Sequence, residues 1–451
     1  MRYITALLAI ATTVFALGAV ELQTDFEPAT IGAPQLEVKQ VGEIEIPGES
    51  NDVTLMVHHG NRFYLGAPSA DGGLHCYSLP DYEHLWTASL GEYRDDDSTH
   101  RMVQGVPSSM VFSKDGQLAF MEVAGVDDEL LPRELVAFDL FSAKVSSKTE
   151  LRQYGHLEPV TLAGRPVLVH KGAWHLRVFE QADLTRKLIE VDETLIDQDA
   201  EVIPQMSDRF LTTLVVDEES DRLYSATENG YLLRFDISDS PEGPTLEHIT
   251  APACAQPWMS AWIDGELAVI DHESGELGFY DPQSLDKTGV MQSLQYARFL
   301  VNIENLLYVI SNISDEDDTG DLEAFHFNAR LQVVDPNHGE VFFQLFPDSS
   351  IREIAMLDDG VLALASEGSL AFLEDSESGN RFPTWTTAHG AIWLLDTETW
   401  EFIGEAQYPE GCARVNFNGT DGELVLAQYN HADVDGPKLQ DTLKIMQIEL
   451  P

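Results

Sequence analysis

The chain reads as short apolar runs broken by polar turns, and the pattern repeats. An apolar strand closes on a turn residue, usually Asp; a short polar turn follows, then a second apolar strand. The phrase recurs as VAFDLFSAKVSS at Asp139, LLRFDISDSPEG at Asp236, LGFYDPQSLDKTG at Asp281, LQVVDPNHGEVFF at Asp335 and IWLLDTETWEFIG at Asp396. Aligned on the residue that closes the third strand, the marks are Leu79, Asp139, Glu180, Asp236, Asp281, Asp335, Asp396 and Gln447, about 53 residues apart. Two more apolar runs precede each mark. In the fourth repeat these are 211–216 and 223–226, separated by Asp217-Glu218-Glu219-Ser220, with Thr227-Glu228-Asn229-Gly230 before the strand that reaches Asp236. Both connectors are rich in residues that favour tight reversal.

A period near fifty residues built from short strands predicts a radial array of small sheets. The expected fold is all-β, a β-propeller of eight four-stranded blades. Seven is the alternative, because the third repeat (159–191) is weakly marked. The last repeat stops one strand short: after LVLAQYN and TLKIMQIEL the chain ends at Pro451. Residues 41–46 (VGEIEI) alternate apolar and polar ahead of Pro47 and Gly48, and are the expected donor of the missing strand. A ring clasped this way confines unpaired edges to its rims.

The first residues differ from the repeat. Arg2 precedes an apolar run over 4–20, with Ala16-Leu17-Gly18 as a small-x-small site. That is the layout of a signal peptide, read as 1–19, and the run is short for a membrane anchor. Residues 20–37 read as a linker and 38–451 as a single propeller domain. The expectation is a secreted or periplasmic, monomeric propeller with no stable membrane insertion after cleavage. Cys76, Cys254 and Cys412 are few and odd in number for an exported chain. Closure makes Cys76 and Cys412 neighbours by blade, so the options are one disulfide between them or buried thiols.

Charge changes the picture of the partners. There are 77 Asp and Glu against 26 Lys and Arg, a formal net charge of -51. Such a surface repels polyanions, which makes nucleic acid and anionic membrane poor partners, and none is expected. Halophilic adaptation accounts for it, since salt screens the self-repulsion; an attractor for cations or for a basic partner is the alternative.

Candidate chemistry lies where the repeat is stretched. The connection between second and third strand is long at 124–133, 312–328, 376–389 and 430–441, and three of these four belong to consecutive blades 6, 7 and 8. Equivalent loops of a radial array emerge on one face, so these three should converge on one rim, where binding function is usually found. Blade 7 offers Arg381, Trp385 and His389, suited to stacking or anion contact. Blade 8 offers His431. Blade 6 carries Asp315, Asp317 and Asp321 at alternating positions, as a hard cation such as calcium requires; a solvated acidic loop is the plain alternative. His326 stands where a helix-loop-helix calcium site needs Glu. His170, His272 and His431 end or follow second strands, on the face of the long loops, and a transition-metal site would need these three imidazoles from different blades to converge; His175 stands near His170 in the chain. No Gly-x-Ser-x-Gly elbow, phosphate loop, dinucleotide fingerprint or CxxCH haem attachment is present. The motifs favour binding of a partner protein or small ligand over catalysis.

From about Val38 onward, the phrases VVDPNHGEVFFQL, FYDPQSLDKTG and LLDTETWEFIGE resemble secreted bacterial propellers of the Tyr-Val-Thr-Asn repeat and quinoprotein amine dehydrogenase type. The stretch 306–379 is most similar to the heavy chain of methylamine dehydrogenase. The resemblance implies a seven-bladed, non-catalytic scaffold whose quinone sits on a small disulfide-rich partner, or an oxidoreductase if this chain acts itself. No quinone-forming or haem-binding residue of that family maps onto this sequence.

Overall fold

The computed structural model describes residues 33–47, 53–94, 102–125, 134–151, 155–191, 211–240, 243–316, 325–335, 340–345, 350–356, 360–367, 370–374, 381–385, 391–399, 401–407, 412–418, 423–433 and 436–448. The signal-peptide reading over 1–19 falls outside these. Among the described residues the strands form seven four-stranded sheets, one five-stranded sheet and one two-stranded ribbon. All are antiparallel and the larger sheets follow chain order, making the blades of a β-propeller. Blades 1 to 7 span 55–88, 102–150, 155–191, 215–252, 257–292, 297–345 and 350–407. Blade 8 spans 412–448 and takes its fourth strand from Val38–Glu45, which pairs antiparallel with Gly436–Ile448 from Val38↔Ile448 to Glu45↔Thr442. In blade 2 an extra strand, Glu92–Arg94, pairs with the start of Met102–Phe112.

Among the described residues eight apolar clusters hold the blades, and each bridges two neighbours. One joins blades 1 and 2 through Tyr64, Leu74, Met121 and Phe138, and another joins blades 3 and 4 through Val169, Leu176, Leu223 and Phe235. Equivalent clusters link 2 to 3, 4 to 5, 5 to 6, 6 to 7 and 7 to 8. The eighth closes the ring: Ile44, Val425, Leu443 and Ile445 pack on Phe63, Leu65 and Tyr77 of blade 1. The third repeat, weak in sequence, is a complete four-stranded sheet.

Burial explains the sequence pattern. Second and third strands are covered on both faces by neighbouring sheets, so they read as continuous apolar runs, as in Arg62–Gly66 and Ala391–Asp396. Outer strands such as Lys144–Glu150 alternate exposed and half-buried residues. The recurrent Asp has a local cause. Asp139 Oδ1 accepts the amides of Phe141 and Ser142, Asp281 Oδ1 those of Gln283 and Ser284, and Asp396 Oδ1 those of Glu398 and Thr399. Each carboxylate caps the turn between third and fourth strands, and these amide bonds hold its pKa below the usual carboxylate value.

The end of the linker is docked: Gln35 bridges to Glu405, the amide of Leu36 donates to the Glu405 carbonyl, and the Leu36 side chain packs on the cluster between blades 7 and 8. Cys76 is a buried free thiol, as is Cys254, so the Cys76–Cys412 disulfide option is not realised. Burial pushes these thiols up to about 11 and about 12, which keeps them protonated and unreactive.

Candidate functional site

An antiparallel four-stranded blade has two kinds of connection. The first-to-second and third-to-fourth turns open on one face of the ring. The second-to-third connections and the crossings between blades open on the other, and that second face carries the stretched repeats of blades 6, 7 and 8.

In blade 6 the expected long loop is a hairpin. Leu306–Glu316 and Phe325–Asp335 stay in register from Leu307↔Val334 to Glu316↔Phe325. The first strand ends its pairing at Ala297↔Ser311. Five further pairs, from Asn312↔Ala329 to Glu316↔Phe325, therefore rise beyond the blade as a two-stranded arm. Blade 7 inserts a separate ribbon, Leu370–Glu374 against Arg381–Trp385. In blade 8, Glu423–Asp433 and Gly436–Ile448 continue to Asp433↔Gly436, past the last first-strand pair at Cys412↔Gln428. The arms touch in sequence: Leu370–Glu374 lies against Phe325–Asp335, and Arg381–Trp385 lies against Gly436–Ile448. Together they make one wall.

The sequence-selected residues fall on this wall as follows. Arg381 pairs with Glu374 and Trp385 with Leu370 at the two ends of the ribbon. His326 stands opposite Asp315 in the blade 6 arm. His431 lies in the irregular stretch between Asn430 and Asp433 near the tip of the blade 8 arm. His389, Asp317 and Asp321 lie outside the described residues. The expectation of a turn carrying alternating carboxylates is corrected at Asp315, which is a paired strand residue because the β-favouring Ile313, Phe325 and Phe327 extend the ladder past the blade. Among the described residues no group of three or more His, Cys, Asp or Glu is arranged to hold a metal ion.

His170 and His175 do come together, in a buried network between blades 2 and 3 that the sequence reading did not anticipate. Glu122, 2% exposed on the second strand of blade 2, accepts the Ser109 hydroxyl at 3.0 Å, the Gly155 amide at 2.7 Å and His170 Nε2 at 3.1 Å. With His170 donating from Nε2, its Nδ1 accepts from His175 Nε2 at 3.2 Å. Burial foremost, then the nearby Arg177 charge, pushes His175 down to about 3, so this imidazole is neutral. Beside it, Lys171 Nζ donates to the carbonyls of Leu211 and Thr212, and burial pushes it down to about 8. Glu122 and His170 are buried and hydrogen-bonded to each other across the seam, so the network stitches blades 2 and 3 together. The available signal was a lone polar residue inside an apolar second strand, in LAFMEVAG and in RPVLVHKG.

Fold and site together define a β-propeller with a hairpin wall on one face. No family model matches the chain, and no curated protein matches it. Among solved structures it is similar to Saccharomyces cerevisiae Sqt1, with a TM-score of 0.54 and 9% identity over 93% of this chain and 100% of that one. It is also similar to the computationally designed Ika8 protein, with a TM-score of 0.53 and 11% identity over 90% of this chain and 98% of that one. At such identities the likeness concerns the fold alone.

Proposed function

We propose that this chain is a secreted or periplasmic, non-catalytic binding scaffold that engages a partner protein or small ligand on the wall raised by blades 6, 7 and 8. The observation that carries the reading is the contiguity of the three hairpins on one face. The propeller beneath them supplies a rigid base, and insertions on a rigid scaffold are where recognition is usually built. Register adds chemistry to the ribbon: Leu370 stands opposite Trp385, Phe372 opposite Pro383 and Glu374 opposite Arg381. An aromatic and Arg-bearing strip is the composition of an interface anchor. The resemblance of the repeat phrases to amine dehydrogenase heavy chains fits the same role, since that heavy chain is a scaffold for a smaller partner.

The test uses a photo-crosslinking residue at position 385 or 431, against one at Phe141, which is 97% exposed on the opposite face. Crosslinks to a copurifying partner are expected from 385 and 431 alone. An Arg381→Ala/Trp385→Ala variant that folds and retains its partner would overturn the assignment.

A further inference from the structure

Nine non-glycine residues among those described have positive φ, and eight of them lie in the first-to-second or third-to-fourth turns. Tyr296, at φ +56°, is the exception: it sits in the crossing from blade 5 to blade 6, on the face that bears the hairpin wall. An aromatic side chain in the left-handed region is strained. Tyr82, also left-handed, offsets that strain by burying its ring on Phe63 and bonding His58. Tyr296 is 45% exposed.

The surroundings force the conformation. The Ser293 amide donates to the Gly275 carbonyl and the Tyr296 amide to the His272 carbonyl at 2.7 Å. The Ser311 hydroxyl holds the Gln295 carbonyl at 2.6 Å, and the Ser293 hydroxyl holds Gln332. His272 is fixed in turn, because Asp271 accepts the amides of Gln256 and Ser274. Against the His272 ring, Tyr296 stands edge-on at 5.3 Å and half-buried Trp258 lies tilted at 4.9 Å. Trp258 occupies a bulge in the first strand of blade 5. The result is a pre-ordered aromatic platform at the foot of the blade 6 arm: Ala297, next to Tyr296, pairs with Ser311, and the arm begins at Asn312.

Charge identifies what such a platform takes. Exposed Glu273 follows His272, Asp315 and Glu316 lie on the arm above, and the chain carries a net charge of -51. A negative field concentrates cations, and an aromatic face selects organic ones, a planar guanidinium above all. We propose that Trp258, His272 and Tyr296 form a stacking subsite for an arginine side chain on a basic segment of the partner protein. This rests on reading the hairpin face as the binding face.

The test is fluorescence anisotropy of the full chain with a labelled, end-blocked Gly-Arg-Gly-Arg-Gly peptide and its lysine counterpart, at 0.15 M and 1 M NaCl. The arginine peptide should bind about tenfold more tightly, and the preference should persist at high salt, where unspecific attraction to the acidic surface is screened. Tyr296→Gly removes the ring at a φ that glycine favours, so the fold is kept; it should weaken the arginine peptide about tenfold and abolish the preference, while Tyr296→Phe retains both. Equal binding of the two peptides by the unaltered chain, or full binding by Tyr296→Gly, would sink the proposal. If Arg381→Ala/Trp385→Ala loses the partner while Tyr296→Gly keeps arginine-peptide binding, the platform falls and the wall stands. The opposite pattern removes the wall and leaves the platform.

Discussion

Blades 3 to 5 and blades 6 to 8 share one strand grammar and differ on one face. The second-to-third connections of blades 3, 4 and 5 are 173–175, 228–230 and 272–275, tight reversals of three or four residues. In blades 6 and 8 the same connection is an arm of continued strand pairing, and in blade 7 it holds a separate ribbon. At the seam between blades 2 and 3, buried polar groups are spent on holding sheets together, as with Glu122 and His170. In blades 6 to 8 the sequence places Arg, Trp, His and Asp on projecting strands. One set of blades is invested in stability and the other in reach.

The largest effect on the tight-turn set should come from Glu122, which anchors blade 3 to blade 2 through His170. Glu122→Ala leaves the Ser109 hydroxyl, the Gly155 amide and His170 without their acceptor inside the core, and should cost about 3–5 kcal/mol in denaturant unfolding. Glu122→Gln keeps one acceptor oxygen and should cost less than half as much. Binding at the hairpin wall should survive in whatever fraction remains folded. Partner loss in a folded Glu122→Gln protein would show that the two sets of blades are not separable.

Next in size is acid sensitivity at the seam between blades 8 and 1. Burial lowers His58 to about 4, with the hydrogen bond to Asn416 opposing the shift. Because the folded value lies below the ordinary 6.5, the unfolded chain takes up the proton first as pH falls. The contribution of neutral His58 is complete above pH 6.5 and is lost between pH 6.5 and about 4, amounting to at most about 3 kcal/mol. His58→Gln should flatten unfolding free energy against pH in that window. An unchanged slope would place the acid sensitivity elsewhere.

Replacing 369–386 by a short Gly-Ser turn should have the reverse profile to Glu122→Ala. The ribbon forms its own two-stranded sheet, so its loss should change stability by less than about 1 kcal/mol. Partner binding should be lost. A large fall in stability would make the ribbon part of the scaffold.

The scaffold was legible from sequence and the arms only in outline, for a physical reason. Turn-capping residues such as Asp139 and Asp281 act through their own neighbours, so the repeat announces itself locally, and counting what blade 8 lacked pointed to 41–46, which overlaps the strand found at Val38–Glu45. Long connections were visible as interruptions of the period. That they are β-arms was not, because stretches such as NISDE and FHFNA owe their pairing to each other across the hairpin. The Glu122–His170–His175 network and the Tyr296 platform join different blades or turns, and no local spacing encodes that convergence.

The smallest effect is the most discriminating, because it compares the same residue type on the two faces. Left-handed strain costs a non-glycine residue about 1 kcal/mol, so glycine at position 296 should be more stable than alanine there by roughly that amount, both having lost the ring. Relative to tyrosine, the relief is set against the lost edge contact with His272, also about 1 kcal/mol, so Tyr296→Gly should lie within about 1 kcal/mol of the unaltered protein. Tyr82→Gly gains the same relief but empties a core position against Phe63 and breaks the bond to His58, and should lose about 3 kcal/mol. Thermal unfolding of the two variants side by side measures the contrast. If both cost the same, the Tyr296 ring is a packing element like Tyr82; if only Tyr82→Gly destabilises, the strain at 296 is held for something the isolated chain does not contain.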